Sequence, residues 1–246
     1  MNINDIYFNG RYKDLWRAII PAELTVKETD FILQYFNLKP GDKVVDMMCG
    51  YGRHAIALAR KGMDVTAIDN LEDYVAEINR TASDERLPLK GIVSDVLHYK
   101  IDQQYELALC MGNSLNFFKW EDAHLILKNI YSHLKAGGYL LINTWSLAEI
   151  AIRTFAQKSW SEVNGIKHIC ESRYLFHPTR IESDSIFLSA DGSIEKKKAI
   201  DYIFSVAEME ALLEKAGFQL TELFSVPGKK KFTLGEPRAY LVAQKN

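Results

Sequence analysis

Apolar positions change their period along the chain. Over residues 25–37 they recur at helical spacing, with Phe31, Ile32, Tyr35 and Phe36 on the apolar side. Thr25 and Glu28 have the spacing of a capping box, which predicts the helix start. Pro40-Gly41 breaks the chain. From Lys43 short apolar runs alternate with helical segments. Residues 44–48 predict a buried strand, Gly50-Tyr51-Gly52 a turn, and residues 53–61 a helix ended by Gly62. A second strand over 65–68 stops at Asp69 and is followed by a helix over about 71–81. A third over 91–94 stops at Asp95, and a fourth covers 106–111. Residues 120–134 predict a helix closed by Gly137-Gly138, and 139–144 a fifth strand, with Trp145 beyond it.

After Trp145 the pattern changes. A helix over about 148–157 precedes strand-like alternation at 165–203, with turn signals at His177-Pro178 and Asp191-Gly192-Ser193. This predicts a three-strand antiparallel insertion. Ser205 and Glu208 form a second capping-box pattern, opening a helix that Gly217 closes. Residues 218–226 and 238–243 predict two final strands joined by a basic, turn-rich connection. The expected fold is α/β: a doubly wound, seven-stranded, mostly parallel sheet with an antiparallel C-terminal strand, plus a small antiparallel β insertion. The expected division is a core of residues 1–164 and 204–246, with 1–24 as an N-terminal cap, and an insertion over 165–203.

Composition narrows the class. The chain has 246 residues, 30 Lys+Arg and 32 Asp+Glu, for a formal net charge of −2. That balance argues against a dedicated nucleic-acid binder. No run approaches the ~18–20 apolar residues of a membrane helix. The first residues lack the basic and apolar regions of a signal peptide. Cys49, Cys110 and Cys170 are too scattered for a disulfide framework or a CxxC metal site, so no metal is expected. They are expected as free thiols in a reducing cytoplasm. The lysines at 196–198 and 229–231 are expected in solvated turns. Monomer and homodimer are both open.

The chemistry gathers at strand ends. Asp46, Asp69 and Asp95 each stand at the end of a successive strand, where ligands of such sheets bind. Gly50-x-Gly52-x-x-Ala55 matches a nucleotide-binding turn. Asp46 just before that turn would repel a pyrophosphate and attract an amine. A ligand with an ammonium and an adenosine, and no phosphate, suits it better.

At this point residues 44–54 (VVDMMCGYGRH) resemble the first motif of the class I S-adenosylmethionine-dependent methyltransferases. Ser94-Asp95-Val96 resembles their adenine-binding motif. Residues 105–118 (YELALCMGNSLNFF) resemble the fourth motif, and 134–142 the entry to strand five. The likeness covers roughly 25–145 and 205–245. It implies S-adenosylmethionine as methyl donor, held by Asp46, Met48, Gly50, Gly52, Asp69, Asn70, Asp95, Val96 and Met111. Asp69 would take the ribose hydroxyls. The N-terminal segment would cover the cofactor, with Tyr12 and Trp16, beside Tyr7 and Phe8, facing the sulfonium by cation–π attraction. Met48 departs from the glycine that the family often has there.

The resemblance further implies in-line methyl transfer to a small-molecule acceptor, with the insertion as a substrate lid. Asn113 and Ser114 follow strand four, where the acceptor would meet the sulfonium. His54 is a candidate base, or a packed histidine. Arg53 has two readings: an anchor for the cofactor carboxylate, or a solvent-facing side chain. The chain has no Asn/Asp-Pro-Pro-Tyr/Phe sequence, which argues against adenine and glutamine-amide acceptors. Two rivals stay open: a nicotinamide-dependent oxidoreductase, and a non-catalytic cofactor-binding protein of the same fold.

Overall fold

A computed structural model describes residues 2–100 and 103–246. Met1, where the expected cap begins, lies outside them. Three helices lead in: α1 (Ile3–Tyr7), α2 (Arg11–Ile19) and α3 (Ala22–Tyr35). The alternating part runs β1 (Lys43–Met47), α4 (Arg53–Ala59), β2 (Asp64–Asp69), α5 (Glu72–Glu85) and β3 (Leu89–Val93). It continues through β4 (Tyr105–Cys110), a 3-10 turn (Ser114–Phe117), α6 (Trp120–His133), β5 (Leu134–Thr144) and α7 (Ala148–Thr154). An antiparallel unit follows: β6 (Lys158–Val163), β7 (Ile166–Phe176), β8 (Thr179–Leu188) and β9 (Ile194–Tyr202). The chain closes with α8 (Val206–Ala216), β10 (Phe218–Val226), β11 (Lys230–Lys231) and β12 (Ala239–Lys245).

The main sheet has the order β11-β10-β12-β5-β4-β1-β2-β3. Strands β1 to β5 pair in parallel, and β12 runs antiparallel between β5 and β10. The sheet is thus mostly parallel with antiparallel C-terminal strands, as the patterning predicts. The eighth strand is the two-residue β11, too short to leave a periodic signal. The chain winds outward from β1 in both directions, so the switch in strand order falls between β1 and β4.

Pleating sends alternate residues of the central strands into two layers. Val45 and Met47 pack with Ile126 and Ile130 of α6 and with Leu212 of α8. Val44 packs on the other face with Ile32 of α3, Leu58 of α4 and Ile78 of α5. No helix among the described residues is long and apolar enough to cross a membrane.

Several local expectations change. The antiparallel unit has four strands and begins at Lys158, seven residues before the alternation becomes visible. Its first strand, β6, exposes four of its six positions, Trp160 among them at 73%, so no regular buried face marks it in the sequence. Gly137-Gly138 does not close α6. Both lie inside β5, which begins at Leu134, and the β4 register shifts there. Lys196, Lys197 and Lys198 lie within β9, and Lys197 is buried against Asn9 of the N-terminal segment. Ser205 and Glu208 do form a capping box, and Gly217 caps α8 with φ +102°. Thr25 and Glu28 do not: α3 starts at Ala22 behind Pro21.

Candidate functional site

The turn after β1 is built on left-handed backbone. Met48, Gly50 and Gly52 have φ of +54°, +56° and +76°. The position where the family often has glycine thus keeps the glycine-like conformation while carrying Met48. Asp69, at the end of β2, organises the turn. One carboxylate oxygen accepts the Gly50 amide at 2.7 Å and the other the Leu71 amide at 3.0 Å.

The two glycines have different duties. A Cβ on Gly50 would approach only Tyr74, at 3.9 Å. A Cβ on Gly52 would lie 2.6 Å from Cγ1 of Ile78, so Gly52 lets α4 pack against α5. Gly52→Ala combines that clash with strained backbone, and is expected to destabilise the fold by about 2 kcal/mol or more. Urea melts check this; an unchanged midpoint would show that Ile78 moves aside freely.

Asp46 is 1% exposed, inside β1 rather than at its tip. Its Oδ2 is buried with no hydrogen-bond partner among the described residues. Burial pushes its pKa up to about 7, while Arg53 and the Ala55 amide pull it down and Asp69 adds to the rise. An unpaired buried carboxylate oxygen is rare and costly.

A cavity of about 520 Å³ opens beyond the strand ends. Asp46, Met48, Gly50, Asp69, Asn70, Asp95, Val96, Met111, Tyr12, Trp16, His54 and Ser114 all line it. Gly52 and Asn113 are not among the described lining residues. Asp95 is largely exposed and turns the chain, its carboxylate accepting from the Leu97 amide at 2.9 Å and facing His98 at 3.1 Å. Tyr12 and Trp16 stack with ring centroids 5.9 Å apart, and Trp16 meets Trp145 at 5.6 Å.

The N-terminal helices roof this cavity and are stitched to both sides of it. On the core side the Tyr74 hydroxyl donates to the Phe8 carbonyl, and the Asn70 amide to Asp5 at 2.8 Å. Arg17 pairs with Glu77 at 2.6 Å. On the insertion side the Asn4 carboxamide binds both backbone groups of Ile200. It donates to the carbonyl at 2.9 Å and accepts from the amide at 2.8 Å.

Asn113 is fully buried and saturated. Its oxygen accepts from Thr144 Oγ1 at 2.8 Å and from the amides of Trp145 and Ser146, both at 3.0 Å. Its nitrogen donates to Ser146 Oγ and to Asp201, both at 2.9 Å. With no capacity left for a ligand, it ties the ends of β4 and β5 to β9. Asp201, which sequence reasoning missed, is the insertion's half of that tie. Burial raises its pKa to about 6 against the bonds from Ser146 and Asn113. Its setting in a lysine-rich alternating strand gives no signal for this.

His54 is buried too, with Nε2 3.0 Å from Glu28. Burial lowers its pKa, Arg53 lowers it further, and Glu28 opposes both. Nε2 donates to the carboxylate, so that nitrogen is committed to the wall of the site. Glu28 is the other residue missed. It is 2% exposed and also takes Arg53 Nη1 at 2.6 Å and the Tyr240 hydroxyl at 2.6 Å. Arg53 Nη1 also donates to Thr25 Oγ1 at 3.1 Å. Thr25 and Glu28 do share one helix face, as their spacing requires. That face grips Arg53 instead of capping α3. Among the described residues, no group of three or more His, Cys, Asp or Glu side chains could hold a metal ion.

The family described as "Tellurite resistance protein TehB" matches residues 16–155, more than half of the chain. The chain belongs to the TehB family. The probable S-adenosyl-L-methionine-dependent methyltransferase TehB of Haemophilus influenzae is 33% identical over 100 residues. That match covers 41% of this chain and 35% of the relative, so this TehB-family chain spans about a third of the relative's length. An S-adenosylmethionine-dependent methyltransferase from Clostridium acetobutylicum shares the fold at TM-score 0.83 and 18% identity, over 96% of both chains. So does CalS10, an amino pentose methyltransferase from Micromonospora echinaspora, at TM-score 0.74 and 16% identity, over 97% of this chain and 98% of that one. The TehB-family chain therefore has the class I methyltransferase fold.

Proposed function

We propose that this protein transfers a methyl group from S-adenosylmethionine to a small-molecule acceptor in the cytoplasm. One observation carries the reading most: Asp46 Oδ2 is buried, unpaired and in the wall of the cavity. It suits an ammonium and repels a phosphate, which sets the nicotinamide alternative aside. The three cysteines are free thiols, as a reducing compartment keeps them.

Asp69 has further lone pairs for vicinal hydroxyls after holding the turn. Val96 and Leu97 offer an apolar surface at the adenine end, and Tyr12 and Trp16 an aromatic one. Bound there, the donor supplies a methyl already activated on a sulfonium. What this chain adds is alignment and exclusion of water. The roof of α1 and α2 excludes solvent. Asn113 and Asp201 act as positioning residues, fixing the insertion over the cavity. Ile200 and Tyr202 of β9 line the cavity beside Phe117, which supports the insertion as the acceptor's lid. That CalS10, which shares the fold, is an amino pentose methyltransferase supports a small acceptor.

Titration calorimetry with S-adenosylhomocysteine tests the reading. Saturable binding at micromolar ligand is expected. No heat at high micromolar ligand overturns it.

A further inference from the structure

Strand β6 leaves one edge of the insertion sheet open, because it lies outside β7 in the order β6-β7-β8-β9. Two observations fix which of its backbone groups point outward. The turn Asn164-Gly165 has φ of +50° and +76°, the two-residue hairpin whose flanking residues, Val163 and Ile166, exchange both bonds. At the other end the Ser172 amide donates to the Gln157 carbonyl at 2.8 Å. Bonded pairs alternate along an antiparallel ladder, so Ser159 and Ser161 also bond to β7. Lys158, Trp160 and Glu162 therefore turn their amides and carbonyls away from the sheet. Among the described residues nothing bonds to those groups. Neither a proline nor a bulge blunts this edge.

The outward side chains carry a pattern of their own. Lys158-Ser159-Trp160-Ser161-Glu162 reads the same in both directions, except that the charge changes sign. Trp160 is opposite Ile169, and Ile169 opposite Ile186, so an apolar row across the sheet ends in an exposed indole. Lys158 and Glu162 flank that row. Their ion pairs within the chain are long, 3.9 Å to Glu171 and 4.0 Å to Lys167.

We propose that β6 pairs with β6 of a second copy of this chain, antiparallel about a twofold axis at Trp160. In this register Trp160 faces the partner's Trp160, Lys158 the partner's Glu162, and Glu162 the partner's Lys158. Each pair exchanges both backbone bonds, because all of these residues turn those groups outward. A shift by one residue opposes groups that are already bonded to β7. A shift by two sets Trp160 against a charge. Only the register centred on Trp160 matches backbone, indole and charge together. The apolar row then runs unbroken through both indoles, and the two insertion sheets join edge to edge.

Sedimentation equilibrium on the full chain tests the pairing. Wild type is expected to move from 28.1 kDa toward twice that mass as concentration rises. Lys158→Glu alone, or Glu162→Lys alone, sets like charges opposite each other at both ends of the seam. Each is expected to weaken association by roughly tenfold or more. Both side chains are solvent-exposed, so neither change threatens the fold.

An equimolar mixture of the two variants restores opposite charges in the mixed dimer. The double variant restores them in one chain. Both are expected to return to within about threefold of wild type. A wild type that stays monomeric at about 0.5 mM overturns the proposal. So does a dimer that the single variants leave unchanged, since it uses another face. Loss in both single variants without recovery on mixing overturns it too, because the charges then do not meet in this register.

Discussion

Asp46→Asn is expected to make the ligand-free protein more stable and to weaken ligand binding. The sign follows from the shift. The carboxyl rises from 3.8 unfolded to about 7 folded, first because it is buried. A group raised in this way stabilises the fold fully below pH 4 and loses that contribution as pH climbs through 7. Above pH 7 the ionised Asp46 costs on the order of 4 kcal/mol. Asparagine mimics the neutral acid and avoids that cost, although its amide must find partners of its own. A rise in melting temperature of roughly 3–8 °C at pH 8 is expected, fading to nothing near pH 4. Over the same change, S-adenosylhomocysteine affinity should fall at least about tenfold, because an amide does not pair with an ammonium as a carboxylate does. Thermal melts across pH 4–8, with calorimetry at pH 8, check both halves. A melting temperature that ignores pH, with affinity intact, would mean that Asp46 has a partner in the fold.

Glu28→Gln is expected to do the opposite. Burial pushes the Glu28 carboxyl up, but bonds from His54 and Arg53 outweigh it and hold the pKa at about 2. A depressed acid contributes above its unfolded value of 4.5 and loses that contribution as pH falls through 2. The size is about 3 kcal/mol by linkage. Removing one partner of such a buried pair costs ~3–5 kcal/mol, because Arg53 is left with an uncompensated charge. The variant should therefore melt well below wild type at pH 7, and the gap should narrow between pH 5 and 2. Urea melts at several pH values measure it. A constant gap would assign the loss to packing rather than to charge.

The parallel core was readable because each strand is a short apolar run and each helix is bounded by a turn residue. Asp69 and Asp95 were readable for a related reason, since an acid at or just beyond the end of an apolar run marks a strand end, whereas Asp46, inside β1, was readable from its place ahead of the glycine turn. What sequence did not carry was pairing across distance. Glu28 meets Tyr240 across 212 positions, and Asn113 meets Asp201 across 88. Neither pair leaves a periodic trace. Thr25 and Glu28 were legible as a pair, but local spacing alone pointed to a cap. Burial reassigns them, since a carboxylate that is 2% exposed and serves three donors is no helix cap. The edge strand β6 was lost for want of a buried face.

The two bonds from Asn4 to Ile200 have one more consequence. Strand β9 is an edge of the four-stranded sheet, and Ile200 turns its amide and carbonyl outward there. The Asn4 carboxamide fills both groups as a neighbouring strand would. An open strand edge invites self-association between chains. The segment that roofs the cavity thus also covers this part of the edge.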